Sequence, residues 1–227
     1  MLTVTVDEKF GLVLDEEMYE LALVGLRSYA PEQVDSFTWE RFVTRESWVL
    51  VPDTEHPDEP FYKAEFVIKH GHPYLQTVKL NLWRSPDLRR DGAPMPHNHP
   101  WPFTGHLLCG GYVEDRYELA LDHDRDRILV DPHSMWNVED MILESAVAHG
   151  TGESNYIGLA TFHEVTQIIE PGRTLSLMDC NLGRKEGWGH LEPNAQGKLV
   201  YVPNKLGELD ATFKPMLLDR NPHLARK

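Results

Sequence analysis

The sequence predicts an all-β protein, a small barrel or double-sheet sandwich, with helices confined to its N-terminus and one insertion. Three observations predict it. Apolar residues alternate with a period of two in seven or more short runs between residues 61 and 182. Gly, Pro, Asn and Asp punctuate those runs. Only three stretches repeat their apolar residues at helical spacing.

Residues 1–60 read as a helical and irregular segment packed on the barrel. From Leu14, the run LDEEMYELALVGLRSYAP places Met18, Leu21, Ala22 and Gly25 on one helical face; Asp15 suits the N-cap and Pro31 ends the run. A shorter helix is expected from about 35 to 45, with Trp39, Phe42 and Val43 inward. VPDTEHPDEP, three prolines in ten residues, is a linker.

The barrel is expected over 61–182. FYKAEFVIK and YLQTVKLNLW are strands joined by a turn at His70-Gly71-His72-Pro73. HLLCGGYVEDRYELAL and RILVD bracket the charged loop DHDRD as a hairpin. Asn137 to about His149 is predicted as the inserted helix, with Asn137 as N-cap and Gly150 after its end. That helix belongs to an insertion around 112–156. YIGLATF, VTQIIE and TLSLMD resume the strand pattern, and KLVYVP adds one more. Residues 183–227, rich in Gly, Pro and Asn, form a C-terminal extension expected as a loose tail or covering loop.

At 227 residues the chain can bury one core with a small helical annex. Its net charge of −14, from 36 acidic and 22 basic residues, excludes a non-specific grip on nucleic acid or on anionic membrane. Neither a signal peptide nor a membrane-length apolar run is present, so the expected location is cytoplasmic, with Cys109 and Cys180 reduced.

Chemistry concentrates in PHNHPWPFTGHLLCGG, residues 96–111. In an extended strand, residues 97 and 99 share a face, so His97 and His99 can offer two imidazoles to one metal ion. A third ligand must come from another strand, and His163, at the end of YIGLATFH, is the candidate. The bland alternative is a stiff surface turn held by Pro96, Pro100 and Pro102. His106 is either an additional metal ligand or a histidine behind the ligands. Glu114 and Glu164 are lesser candidates, and strand alternation turns Glu164 away from His163.

From about Tyr74 to Asn181 the chain resembles a cupin. The first cupin motif is His-x-His followed by a glutamate and a glycine, and the second carries a lone histidine on a later strand. His97 and His99 match the pair, Gly111 the glycine and His163 the second motif. The resemblance implies a cupin double-stranded β-helix, a jelly-roll barrel. The motif's glutamate would fall near Phe103 or Thr104, and neither is a carboxylate. That departure, together with HEVTQIIEPGRTLSLM, resembles the cysteine dioxygenase branch, where three histidines hold iron.

The resemblance implies Fe(II), with Zn, Mn and Ni as alternatives that the ligand types equally accept. It implies an oxygenase, dioxygenase or hydroxylase, taking dioxygen and a small polar metabolite such as an amino acid or thiol. Arg84, just before the metal segment, is the expected carboxylate clamp, or else a surface arginine offsetting the acidic excess; Arg116 and Arg173 are alternatives. Trp101 and Phe103 would wall the site, and Tyr112 and Tyr117 would donate hydrogen bonds to bound substrate or oxygen. A metal-dependent isomerase, lyase or decarboxylase is the rival reading, and a non-catalytic cupin binding module is another. Cupins often pair, so a homodimer is expected.

Overall fold

The computed structural model describes residues 2–53, 58–70, 76–87, 96–119, 141–159, 161–180, 188–196, 199–203 and 208–226. The chain opens with a hairpin, β1 (Thr3–Asp7) and β2 (Leu12–Asp15), that runs directly into α1 (Glu16–Tyr29). Asp15 caps α1 by accepting from the Met18 N–H at 2.9 Å, and Ala30–Pro31 ends it. The expected face is buried, through Met18, Ala22, Leu23, Gly25 and Leu26. Gly25 matters for packing: a Cβ there would stand 2.6 Å from the Leu108 side chain, so a larger residue would require Leu108 to move where α1 meets the sheet.

The second expected helix shrinks to one turn, α2 (Trp39–Phe42). Pro31–Ser36 coil as a 3-10 helix instead, and Thr38, accepting from the Arg41 N–H, delays the helical start. Phe42 is fully buried, as anticipated. Residues 1–60 are also not wholly helical or irregular. Besides the hairpin they supply β3 (Trp48–Val51), whose four residues are too few to register as a periodic run.

The strands that follow are β4 (Lys63–Lys69), β5 (Thr77–Trp83), β6 (Phe103–Cys109), β7 (Gly111–Leu119), β8 (Met141–Gly150), β9 (Ser154–Ile157), β10 (Phe162–Ile168) and β11 (Thr174–Cys180). One sheet has the order β3-β4-β5-β11-β6-β9; the other is β10-β7-β8. His97 adds a bridge to the free side of β10 and is bridged in turn to His190 of β12 (Gly189–Pro193), which pairs with β13 (Leu199–Pro203). Thus β5-β11-β6-β9 faces residue 97-β10-β7-β8, which is the antiparallel winding of a double-sheet jelly roll.

Alternation sorts the large sheet into two faces. Ala64, Phe66, Leu80, Leu82, Leu108 and Leu177 meet α1, α2 and β3 in the main core. Each fully buried side chain of this kind stabilises by roughly 1.5–3 kcal/mol. The opposite face looks at the second sheet, where Trp83 and Leu107 pack on Tyr112, Val165 and Ile168.

Three expectations are corrected. HLLCGGYVEDRYELAL is not one strand: it breaks at Gly110, φ 67°, where a Cβ would lie 2.5 Å from Thr174 Oγ1, and the chain crosses there between sheets. Thr174 seals the crossing by accepting from the Gly111 N–H and donating to its carbonyl. The predicted inserted helix is not formed over 141–149, which is strand β8, antiparallel to β7 from Gly111↔Gly150 to Leu119↔Met141. Residues such as Leu, Glu and Ala favour a helix by intrinsic propensity, and cross-strand pairing overrides them. RILVD, DHDRD and residues 137–140 lie outside the described residues.

The C-terminal extension is not a loose tail either. It contains the β12–β13 hairpin and α3 (Glu208–Arg220), whose interior Pro215 disguises it in the sequence. Beyond α3, buried Asn221 donates to the Leu50 carbonyl and accepts from the Leu50 N–H, both at 2.8 Å, fastening the chain end to β3. Among the described residues no helix is long and apolar enough to cross a membrane.

Candidate metal centre

His97 and His163 exchange both backbone hydrogen bonds, N–H to O=C, at 2.9 Å. A directly opposed antiparallel pair points its side chains to one face, and here that face is the barrel interior. His99, two residues along, joins them. Its Nε2 stands 2.9 Å from His163 Nε2, and one ring nitrogen from each of the three histidines lies within 4.8 Å of the others. His97 and His163 are buried and His99 is half-buried. The Phe103 ring abuts His99 edge-on, with ring centroids 4.9 Å apart.

Glu114 stands behind the triad. It projects from β7, two residue pairs away from His163↔Arg116, with no solvent exposure. Its Oε2 is 2.9 Å from His163 Nδ1, and its Oε1 is 3.0 Å from His149 Nε2 and accepts from Asn155 Nδ2 at 2.9 Å. Burial alone would raise this carboxyl's pKa. The hydrogen bonds from His149 and His163 and the charges of those rings outweigh it and hold the pKa at about 2. An ionised carboxylate only accepts, so His163 Nδ1 carries the proton and Nε2 presents its lone pair toward His99.

That donor set fits a divalent metal ion. Two imidazole nitrogens bound at right angles, each about 2.1 Å from one ion, lie about 3 Å apart, which matches the Nε2 pair. A histidine ligand backed by a carboxylate on its other nitrogen is the usual outer arrangement of such sites.

The other expected site residues divide. Tyr112 lies in the same interior network, accepting from Asn155 Nδ2 at 2.9 Å, and burial with nearby Glu114 pushes its phenol far up. Arg116 holds Asn155 Oδ1 at 2.6 Å and so braces Glu114. Trp101, 39% exposed, lies near Cys180, which packs with Phe103. His106 is not part of the cluster: it faces α1, stacked 3.5 Å on Tyr29 and bonded to Ser154 Oγ, and burial lowers its pKa. Arg84 is turned away as well, its guanidinium over the Phe61 ring and directed to the Phe10 carbonyl. Tyr117 points to the outer face with Phe162 and Leu191. Glu164 shares neither face nor cluster with His163, as alternation required. Arg173 pairs with the N-cap Asp15 and with Glu17 of α1. Cys109 and Cys180 are free thiols.

Sequence reasoning missed His149 and Asn155. His149 sat in a misassigned helix, and nothing local marks Asn155. Glu114, a lesser candidate from the sequence, shares the face of Tyr112 two residues earlier and stands behind His163.

Compared with known proteins, the sequence matches no family model and no curated protein. Solved structures similar to it include HppE in its Fe(II) form, with TM-score 0.31 and 12% identity over 54% of this chain and 52% of that one. KdgF from Halomonas sp. gives 0.30 and 11% over 52% and 80%. A cupin 2 conserved barrel domain protein from Rhodopseudomonas palustris gives 0.31 and 9% over 60% and 69%.

Proposed function

We propose that this chain is a metal-dependent cupin enzyme, an Fe(II) oxygenase acting on a small polar metabolite such as an amino acid or thiol. The observation that carries the reading is the convergence of His97, His99 and His163 inside the barrel, with Glu114 fixing the tautomer of one of them. His97, His99 and His163 would hold the ion, and Fe(II) bound there would supply dioxygen activation beside the substrate. The protein's own part is local. Glu114 keeps the His163 Nδ1 proton in place, Asn155 and Arg116 hold Glu114, and Phe103 packs edge-on against His99.

The test is elemental analysis of protein purified without added metal, followed by oxygen uptake with a panel of thiols, amino acids and carboxylic acids. Iron near one equivalent, with substrate-dependent uptake, is expected. His97→Ala should lose the metal and still melt cooperatively, because the main core on the other side of the sheet is apolar. Zinc or manganese without uptake would replace the oxygenase by a metal-dependent isomerase, lyase or decarboxylase. Protein that retains no metal would leave a non-catalytic binding module.

A further inference from the structure

The interior face of β5 carries Lys79, Asn81 and Trp83. These residues lie on the wall facing β7 and β10, since Trp83 packs with Tyr112 at a ring distance of 6.1 Å. Register orders them along the barrel. Trp83 and Tyr112 close one end as an apolar plug. Asn81 is level with Ser176 and Leu107, Lys79 is level with Met178 and Gly105, and the next interior rung is Cys180 and Phe103. Phe103 touches His99. The polar groups of β5 therefore occupy the stretch between the plug and the histidines.

Two features of that stretch are unbalanced. Asn81 has no solvent exposure, its Nδ2 contacts Met178 Sδ, and its Oδ1 has no hydrogen-bond partner. A buried amide oxygen left without a partner is costly, and native proteins keep few of them. Beside it, Lys79 Nζ and Lys63 Nζ both approach Glu65 Oε1, at 2.8 and 3.1 Å. Two ammonium groups share one carboxylate, and all three side chains are less than one-fifth exposed. The cluster carries one positive charge more than its carboxylate neutralises; Lys63 also stands 5.2 Å over the Tyr62 and Trp83 rings, which offset part of it, and an anion is the natural counterpart of the rest.

We propose that Lys79 and Asn81, with Lys63 behind them, form the substrate-anchoring wall of the barrel. The ligand they take is a small carboxylate that carries a hydroxyl or ammonium donor next to the acid group. The carboxylate binds the lysine ammonium, and the neighbouring O–H or N–H donates to Asn81 Oδ1. This deepens the reading of the barrel interior as a small-molecule site and rests on it. It also moves the anion clamp from Arg84, which faces elsewhere, to β5.

Three acids of equal length separate the two contacts: propionate has no donor, lactate a hydroxyl, and alanine an ammonium. Their binding to the full-length protein as purified is read by ligand-observed NMR titration. Lactate or alanine should bind at least about tenfold tighter than propionate, the scale of one charge-assisted or well-made buried hydrogen bond. Which of the two does so identifies the donor. Asn81→Leu should erase that preference while propionate binds as before. Lys79→Met should weaken all three about tenfold, and Lys79→Arg, which keeps the cation, should retain them. A variant that does not melt like the parent is replaced by Asn81→Ser or Lys79→Gln, which remove the same group with less change of volume.

The wall is refuted if no acid binds, if Asn81→Leu leaves the preference intact, or if Lys79→Met binds as the parent does. Repeating the titration after EDTA treatment keeps this separate from the metal reading. Lysine-dependent binding in protein that never held metal would support the wall and sink the oxygenase. Metal retention with lysine-independent binding would do the reverse.

Discussion

At the residue scale the site depends on one carboxylate that does not touch the proposed ion position. Glu114 is fully buried, ionised, and hydrogen-bonded to His163 Nδ1, so it chooses which nitrogen of that ring is free to bind. Glu114→Gln keeps the shape and removes the charge. It should lower metal affinity by about 10- to 100-fold, read by competition with a chromophoric chelator, while the melting transition stays cooperative. Unchanged affinity would mean that His163 is oriented by the barrel alone. The histidines themselves could be read from the sequence because the period of a strand puts 97 and 99 on one face and because His163 ends a separate apolar run. Lys79 and Asn81 could not. In KLNLW their alternation with Leu80 and Leu82 is the pattern of a strand with one wet face, and only the second sheet across from them turns that face into an interior. Arg84 misled for the opposite reason: its position one step past β5 lies beyond the barrel wall, toward Phe10.

At the scale of elements, α1 is the piece that was most legible. A long amphipathic run with a cap at one end and proline at the other leaves little room for another conformation. The strand-rich middle was legible in type, because alternation survives wherever one face is apolar. Partners and boundaries were not, since β8 and the tail helix are settled by pairing and docking that no local signal encodes. Asp15 shows how one residue serves several elements. It ends β2, caps α1 at the Met18 N–H, and receives Arg173 from the β10–β11 turn at 2.8 Å. Asp15→Ala should destabilise the protein by about 1–2 kcal/mol, mostly through the lost cap, because Arg173 is well exposed and its ion pair adds little. Chemical denaturation measures this. Asp15→Asn, which can still cap, should recover most of the loss; equal losses in the two variants would assign the effect to the ion pair instead.

At the scale of the whole molecule, the net charge is strongly acidic, and among the described residues Glu65 and Glu114 are two carboxylates held largely out of solvent. Glu65 on β4 resembles Glu114 in its balance: burial would raise its pKa, and Lys79 and Lys63 overcome that and bring it to about 2. Both groups therefore stay ionised in the folded state well below the 4.5 at which they would titrate in an open chain. The unfolded state binds protons first as the pH falls, so the stability these carboxylates contribute is complete above about pH 4.5 and is lost progressively toward pH 2. The contribution is of the order of a few kcal/mol for each group, so the melting temperature of metal-free protein should fall steeply between pH 5 and 3. Glu65→Gln should lower the melting temperature at pH 7, because it strands two half-buried ammonium groups, and should also flatten the acid limb. The second effect is the discriminating one. Loss of packing would shift the whole curve down without changing its slope, whereas removal of a group that titrates between the two states must change the slope. A Glu65→Gln curve parallel to the parent's from pH 7 to pH 3 would show that Glu65 takes up its proton at the same pH folded and unfolded, and that its lysine partners do not hold it ionised inside the barrel.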